Sequence, residues 1–342
     1  MSDSWPEIAS FANLCRAANR AARGKRRARG AARFLERLEP EALTLFDELE
    51  RGVWRPSKPA EFLIHDPKER WISAAPFRDR VVHHALIDPL ETRLDAALVP
   101  DTFACRRGKG THAALRRARE LVAGHAWYLK LDAQKCFESI EHAVVMETLA
   151  PLGLGARVME LCARILAGHA GRLGRGLPIG NLTSQWFANL LLGRVDRLAM
   201  ALPGVGGYVR YMDDFVLFGP DKAELRVAHA RVREFLAADL RLRIKERATV
   251  LAPTSIGLPF LGWRVFAGTT RIGRKGLSNL RRRVRRRRFE LRTARIGPRA
   301  FEATANAVVA HLRTGDTLEL RRGWLARLDV ELGSGCRAPP TA

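Results

Sequence analysis

The sequence is short of cysteines and of long apolar runs, and each shortage argues against a class of protein. Five cysteines are scattered over 342 residues without a C-x-x-C pair, which argues against a structural zinc site and a disulfide framework. No apolar run approaches the roughly 18 residues that cross a bilayer. The first thirty residues are basic but lack the apolar core of a signal peptide. We therefore expect a soluble, intracellular protein without a membrane partner.

Acidic residues are also scarce relative to basic ones. Lys and Arg number 59 against 36 Asp and Glu, which gives a formal net charge of +23 and a pI near 11.1. A surface with this imbalance attracts polyanions. Nucleic acid is the leading candidate partner, and an anionic membrane surface is the alternative. The apolar fraction of 47% is enough to bury one or two cores.

Two adjacent acids, Asp213 and Asp214, stand between two apolar strand-like runs. The runs cover 208–211 and 215–218, a pattern that predicts a β-hairpin with the acids at its tip. Adjacent acids at a turn are often only a solvated turn. Here aromatic residues bracket them inside strand material, where two charges are costly unless a cation neutralises them.

A third acid, Asp132, ends another predicted strand, at 127–131. If this strand pairs beside the hairpin, Asp132 meets Asp213 and Asp214. Three carboxylates on adjoining strand ends can hold two Mg²⁺ ions about 4 Å apart, with Mn²⁺ as a substitute. That arrangement suits in-line phosphoryl transfer, because one ion activates a hydroxyl and the other neutralises the leaving group.

The remaining pattern predicts an alternation of strands and helices followed by a basic helix. Between Arg271 and Arg295, twelve Lys or Arg accompany a single acid, Glu290, while Leu277, Leu280, Val284 and Leu291 keep helical spacing. This segment is either a solvated helix or an element that grips nucleic acid, and the density of arginine favours the second. Further elements are predicted at 61–66 (strand) and at 81–98, 139–149, 157–166, 184–202 and 222–239 (helices).

These segments resemble the motifs of reverse transcriptases. The run Tyr-Met-Asp-Asp at 211–214 is similar to their Tyr-x-Asp-Asp box, and Asp132 with Phe137 resembles their first catalytic motif. The run at 177–185 resembles their template- and nucleotide-positioning motif. Segments 76–84 and 104–111 resemble fingers blocks of the bacterial, group II intron-like branch. The primer-grip turn is matched by Phe260, Leu261, Gly262 and Trp263.

The resemblance implies an α+β right-hand polymerase. Fingers and palm, the latter an antiparallel sheet with helices, are expected over 1–267. A helical basic thumb with a flexible C-terminal tail is expected over 268–342. The implied metal ligands are Asp132, the backbone of Ala133, Asp213 and Asp214. The implied nucleotide-binding residues are Lys68, Arg70, Phe137, Ile179 and Gly180.

Several of these residues have a physical role available. Lys68 and Arg70 suit a triphosphate, because they combine a point charge with a fork of donors. The ring of Phe137 leaves no room for a 2′-hydroxyl, which favours a DNA product. Where this chain has Ala248, relatives carry a lysine suited to protonating the leaving pyrophosphate, so Lys245 is a candidate general acid in its place.

One detail narrows the resemblance to reverse transcriptases of diversity-generating retroelements. Most relatives carry Gln-Gly and Ser-Pro in the positioning motif, whereas this chain has Ile179-Gly180 and Ser184-Gln185. The narrower group copies a template-repeat RNA into cDNA with errors at adenines. We therefore expect Ile179, Ser184 and Gln185 to influence fidelity, with Gln185 adding a donor and backbone freedom near the template.

The expected ligands are an RNA template, a primer, the cDNA and dNTPs. A small basic accessory variability protein is the implied partner, and the bacterial cytoplasm the implied location. Two alternatives stay open: a reverse transcriptase of another bacterial system (defence, retron or CRISPR-linked), and a non-catalytic RNA-binding scaffold.

Overall fold

The computed structural model describes residues 3–65, 69–168 and 174–324. Its N-terminal part is helical. The first turn of the second helix is capped by Ser10, whose hydroxyl accepts a hydrogen bond from the Asn13 N–H at 3.2 Å. The helices of this part are α1 (Trp5–Ile8), α2 (Phe11–Ala21), α3 (Arg29–Glu36) and α4 (Leu38–Glu50).

A two-stranded hairpin and two long helices follow. Strands β1 (Ala60–Ile64) and β2 (Arg70–Ala74) are antiparallel, with Ala60 opposite Ala74. Helix α5 (Phe77–Ala96) packs against α2, and α6 (Thr111–Gly124) comes next. The predictions of a strand at 61–66 and a helix at 81–98 are thereby confirmed, although the ends of both elements differ by a few residues.

The central sheet carries the predicted acidic hairpin. Its strands are β3 (Trp127–Asp132), β4 (Gly207–Tyr211), β5 (Asp214–Gly219) and β6 (Val250–Pro253), in the order β4-β5-β3-β6 with antiparallel neighbours. The helices between these strands are α7 (Cys136–Ser139), α8 (His142–Leu149), α9 (Ala156–Ala167), α10 (Leu182–Ala201) and α11 (Lys222–Ala238).

Both faces of this sheet are buried, which explains why its strands read as continuous apolar runs. Leu129 and Leu217 join the core formed with α8, α10 and α11. Tyr128 and Val216, their neighbours along the strands, face a second core shared with α6. Successive side chains of a strand point to opposite faces, so each strand contributes to both cores.

A small sheet connects this body to the C-terminal helices. Its strands β7 (Leu258–Phe260), β8 (Trp263–Val265) and β9 (Thr270–Ile272) are antiparallel in that order. The predicted division after 267 therefore falls between two paired strands of one sheet. Helices α12 (Arg274–Arg292) and α13 (Pro298–Leu312) and a helical turn at 318–324 follow.

The predicted basic helix is present as α12, and Val284 is its buried contact. The predicted C-terminal tail lies outside the described residues. No helix in the described part of the chain combines the length and apolar character needed to cross a membrane.

Candidate active site

The three predicted carboxylates lie at one edge of the central sheet. Asp132 ends β3 and stands directly opposite Asp214, the first residue of β5. Asp213 lies in the turn between β4 and β5, and its carbonyl accepts a hydrogen bond from the Ala133 N–H at 3.2 Å. Met212 in the same turn adopts a left-handed backbone with φ 54°. The strand pairing thus assembles acids that are far apart in the sequence.

Their surroundings make negative charge costly. Burial raises the pKa of Asp213, and the charge of Asp132 adds to the effect. Burial also raises the pKa of Asp214 to about 6, with further contributions from Asp213 and Asp132. A divalent cation would relieve both effects, since it compensates for the missing hydration and for the mutual repulsion. The donor set therefore fits Mg²⁺, a hard cation that prefers carboxylate oxygens.

The side chain of Lys130 forms an ion pair with one of these carboxylates. Its ammonium group pairs with Oδ1 of Asp214 and lies 5.6 Å from the centre of the Phe260 ring. The pair is mostly buried, and Lys130 lowers the pKa of Asp214 against the effect of burial. Among the residues of 3–65, 69–168 and 174–324, no three His, Cys, Asp or Glu side chains already form a metal cage. A metal ion bound through Asp214 would therefore share this carboxylate with Lys130 or displace Lys130 from Oδ1.

Arg210 supports the acidic turn from the core. Its guanidinium is fully buried and forks onto Asp196 at 2.6 and 2.7 Å, and it donates to the Met212 carbonyl at 3.0 Å. Asp196 also accepts hydrogen bonds from the Tyr208 hydroxyl at 2.5 Å and the Thr102 hydroxyl at 2.8 Å. This network ties the turn to α10, because Asp196 belongs to that helix.

The sequence interpretation missed both Lys130 and Arg210. Each is a charged residue inside an otherwise apolar strand, in β3 and β4 respectively. That is a detectable signal, because an unpaired charge is rarely buried in a sheet. The partner of each charge depends on strand pairing and on α10, so the sequence alone did not identify it.

The hairpin β1–β2 reaches toward the acids. Arg70 begins β2 and is exposed, and its charge lowers the pKa of Asp213. That electrostatic effect indicates that Arg70 lies near Asp213. Lys68, the other member of the predicted pair, lies outside the described residues.

The positioning motif lies beneath this hairpin. The carbonyl of Phe137 accepts a hydrogen bond from the Leu177 N–H at 2.7 Å, which joins the first catalytic motif to the positioning motif. Gly180 adopts φ 107°, and a Cβ there would lie 3.6 Å from Cγ2 of Ile72 in β2. Ile179 and Phe137 are both half-buried. The structure therefore joins the segment of Phe137 to the positioning motif and places Gly180 of that motif beside β2.

Ser184 and Gln185 lie in the first turn of α10, which confirms the helix predicted at 184–202 with shifted ends. Ser184 is buried in the first turn of the helix. The N–H of Gln185 donates to the Asn181 carbonyl at 3.4 Å, the first hydrogen bond of the helix. The expectation that Gln185 adds backbone freedom is wrong, because its backbone is fixed by the helix.

A comparison with protein families matches this part of the chain. The model of the family described as reverse transcriptase (RNA-dependent DNA polymerase) matches residues 59–265, more than half of the 342 residues. The chain belongs to the reverse transcriptase family. The matched range contains the three acids, the β1–β2 hairpin and the positioning motif.

Curated relatives of this reverse transcriptase chain are proteins of introns. The group II intron-encoded protein LtrA of Lactococcus lactis subsp. cremoris is 21% identical over 175 residues, which are 48% of this chain and 29% of that protein. Nuclear intron maturase 1, mitochondrial, of Arabidopsis thaliana is 31% identical over 85 residues, 25% of this chain and 12% of the maturase. The chain thus spans less than a third of the length of these relatives.

A solved structure has a similar fold. A telomerase from Candida tropicalis, truncated from its C-terminal domain, matches with a TM-score of 0.50 and 12% identity, covering 63% of this chain and 54% of that one. At this identity the likeness concerns the fold alone. It agrees with the mixed helix-and-sheet architecture expected of a right-hand polymerase.

The segment resembling the primer grip of reverse transcriptases is a tight turn. Phe260 and Trp263 face each other across β7 and β8, and Leu261 and Gly262 between them have φ values of 50° and 85°. Two successive positive values are typical of the hairpin turn that matches strand twist. Phe260 and Trp263 are buried, and the Trp263 ring lies 5.4 Å from that of His311 in α13. The turn therefore connects the central body to the C-terminal helices.

Lys245, the candidate general acid, lies beside the first catalytic strand. Its backbone N–H donates to the Asp132 carbonyl at 2.8 Å. The side chain is exposed. Ala248, where the family has its lysine, is half-buried in the next helical turn.

Proposed function

We propose that the chain is an RNA-directed DNA polymerase whose active site is the edge formed by Asp132, Asp213 and Asp214. The single observation that carries this proposal is the meeting of these acids across β3 and β5, with the charge of Arg70 near Asp213. Mg²⁺, or Mn²⁺ in its place, would be held by the three carboxylates and the Ala133 backbone. When bound, the ions lower the pKa of the primer 3′-hydroxyl and neutralise the leaving pyrophosphate.

The neighbouring residues then have separate tasks. Arg70, together with Lys68, holds the triphosphate by charge and forked hydrogen bonds. Phe137 excludes a 2′-hydroxyl by its bulk. The turn from Phe260 to Trp263 steadies the primer end. Lys245 supplies a proton to the leaving group, since a lysine can act as a general acid whereas an arginine is too weak an acid.

At the finer level, we propose a diversity-generating reverse transcriptase that copies a template-repeat RNA with errors at adenines. Ile179 supports this, because an apolar side chain cannot give the amide hydrogen bond that Gln provides in most relatives. A missing hydrogen bond of about 1 to 2 kcal/mol corresponds to a roughly five- to thirty-fold rise in errors. Ser184 and Gln185 complete the variant motif. A small basic accessory variability protein and the bacterial cytoplasm belong to the same proposal.

A group II intron-type reverse transcriptase is the second candidate. The names of the curated relatives, an intron-encoded protein and an intron maturase, favour it. The two candidates predict different error spectra and different neighbouring DNA, since only the first is accompanied by a repeat pair that differs mainly at adenines.

The experiment that separates the candidates is sequencing of cDNA made on one defined RNA. We expect the wild-type chain to misincorporate more often opposite adenine than opposite other bases, and Ile179→Gln to reduce those errors. Ile179→Leu is the matched control, because it preserves the apolar character and should leave the spectrum unchanged. Equal wild-type error rates at all four bases would reject the diversity-generating function and leave the intron-type candidate.

A further inference from the structure

A second charged site lies next to the catalytic acids. It is a cleft of about 410 Å³ that we call the basic cleft. Four cations and a single carboxylate line it, so positive charge exceeds negative charge by three. The lining residues are Gln134, Lys135, Ser139, Glu141, Arg175, Arg241 and Arg243.

The cleft begins just beyond the first catalytic strand. Gln134 donates its N–H to the Arg243 carbonyl at 2.8 Å, and Lys245 donates its N–H to the Asp132 carbonyl at 2.8 Å. An antiparallel bridge pairs Ala133 with Ile244 between these two bonds. The wall carrying Arg241 and Arg243 is therefore fixed directly to the segment that follows Asp132.

The same wall exposes a series of cations. Arg241, Arg243 and Lys245 are exposed, while the intervening Leu242 and Ile244 are buried. From Leu242 to Lys245 this alternation is typical of extended backbone, in which every second side chain leaves from the same face, whereas Arg241 adopts a left-handed backbone with φ 54°. Lys245, the candidate proton donor, thus continues the row of cations that begins in the cleft.

In the cleft, Glu141 is surrounded by positively charged side chains. Its carboxylate pairs with both Arg175 and Arg241, and Arg241 is the main reason its pKa lies below the usual range. One carboxylate cannot neutralise two arginines, and Arg243 adds to the excess, whereas Lys135 pairs with Glu138 at 3.5 Å. Lys135 also adopts a left-handed backbone with φ 47°. Lysine rarely adopts this conformation, and such strain is concentrated at functional sites.

We propose that the basic cleft binds inorganic pyrophosphate as it leaves the active site. The proposal rests on the proposed polymerase function. In nucleotide addition the primer 3′-oxygen bonds to the α-phosphorus and loses its proton to solvent. The bond from the α-phosphorus to the bridging oxygen breaks, and pyrophosphate departs with that electron pair. A compact polyanion is thereby released beside Asp132, where the cleft offers an excess of forked donors.

The shape of the cleft favours this ligand over an RNA backbone. Two of its arginines converge on Glu141, and its four cations come from three chain segments, near 134–141, 175 and 241–243. A nucleic-acid strand presents phosphates in an extended row, which suits the long arginine-rich helix α12 better. Binding of RNA in the cleft is therefore the competing outcome of the test.

The test uses the full chain and inorganic pyrophosphate. Arg241→Gln/Arg243→Gln removes two of the four cations, and Arg243→Gln alone removes one without breaking an ion pair with Glu141. We expect the pyrophosphate concentration that halves primer extension to rise tenfold or more in the double variant. A smaller rise in this pyrophosphate concentration is expected in the single variant. Arg231→Gln/Arg233→Gln on α11 is the matched control and should behave as wild type.

Equilibrium binding of pyrophosphate without divalent metal separates this proposal from the polymerase function. If wild type binds pyrophosphate and the double variant binds it at least tenfold more weakly, the cleft is supported even if the chain extends no primer. Unchanged binding and inhibition in both variants would overturn the proposal. Loss of RNA affinity with unchanged pyrophosphate binding would also overturn it, in favour of an RNA contact.

Discussion

Asp214 is the residue at which the requirements of folding and metal binding differ most directly, because the ionised form that binds a cation is the form that burial disfavours. Its pKa is raised to about 6, against an ordinary 3.8. In the metal-free protein its ionised form therefore destabilises the fold above about pH 6, and this penalty disappears as the pH falls toward the ordinary value. The pairing with Lys130 reduces the penalty, and a bound cation would reduce it further.

This residue predicts a pH-dependent stabilisation by Mg²⁺. Protons compete with the ion below about pH 6, because a protonated carboxyl is a poor ligand. We expect Mg²⁺ to raise the melting temperature more at about pH 7.5 than at about pH 5.5, as measured by thermal unfolding. The same Mg²⁺ effect should be absent in Asp213→Asn. An equal rise at both pH values in wild type would contradict the prediction.

Phe137 predicts the choice of sugar. It is half-buried on α7, and its carbonyl is bonded to the positioning motif. Phe137→Ala should open space for a 2′-hydroxyl and increase the ratio of rNTP to dNTP incorporation by an order of magnitude or more. The half-buried Phe235 of α11 provides the control variant Phe235→Ala. Unchanged discrimination in Phe137→Ala would remove the ring from this role.

Strand β4 and helix α10 are held together by the buried pair of Arg210 and Asp196. Breaking such a pair leaves a charge without compensation, at a cost of about 3 to 5 kcal/mol. We expect Arg210→Met to reduce the free energy of unfolding by that amount in urea titrations. The double variant Arg210→Met/Asp196→Leu should recover part of the stability, since no lone charge remains. A single variant as stable as wild type would show that the network does not support the turn.

Helix α12 predicts salt-dependent RNA binding. Arg281, Arg283 and Arg285 are exposed on it. Removing one arginine–phosphate pair should reduce the slope of log affinity against log salt by about 0.7 to 0.9, so the triple Gln variant should bind RNA with a flatter salt dependence. Arg226, Arg231 and Arg233 of α11, changed in the same way, serve as control. If the slope of the α12 variant stays at the wild-type value, the helix does not bind the RNA backbone.

At the scale of the whole molecule, local sequence patterns predicted the helices and strands well. They predicted poorly which strands, helices and charged side chains pair with one another. The strands ending at Asp132 and flanking Asp213 were predicted because their apolar runs and turn residues are local signals. The burial of Arg210 depends on α10, and the pairing of Lys130 with Asp214 depends on strand register. Neither can be read from neighbouring residues. The small sheet that spans residue 267 was not predicted, because β9 is only three residues long and is defined by pairing with β8.

The family resemblance supplied roles that composition and periodicity could not. The formal net charge of +23 indicated a polyanionic partner but did not indicate which reaction the protein catalyses. The order of the motifs identified the family, and the family model over 59–265 agrees. The basic cleft escaped the sequence interpretation, since its walls come from segments near 135, 175 and 241 that meet only in the fold.

The central claim is that three carboxylates perform RNA-directed DNA synthesis, and primer extension on an RNA template tests it most directly. Wild type should extend the primer with dNTPs and Mg²⁺. Asp132→Ala, Asp213→Ala and Asp214→Ala should each abolish extension while RNA affinity, measured on the same samples, stays within about twofold, because phosphate contacts carry the affinity. Asp47→Ala, at an exposed acid of α4, is the control and should remain active. Near-normal extension by any one of the three variants would contradict the account.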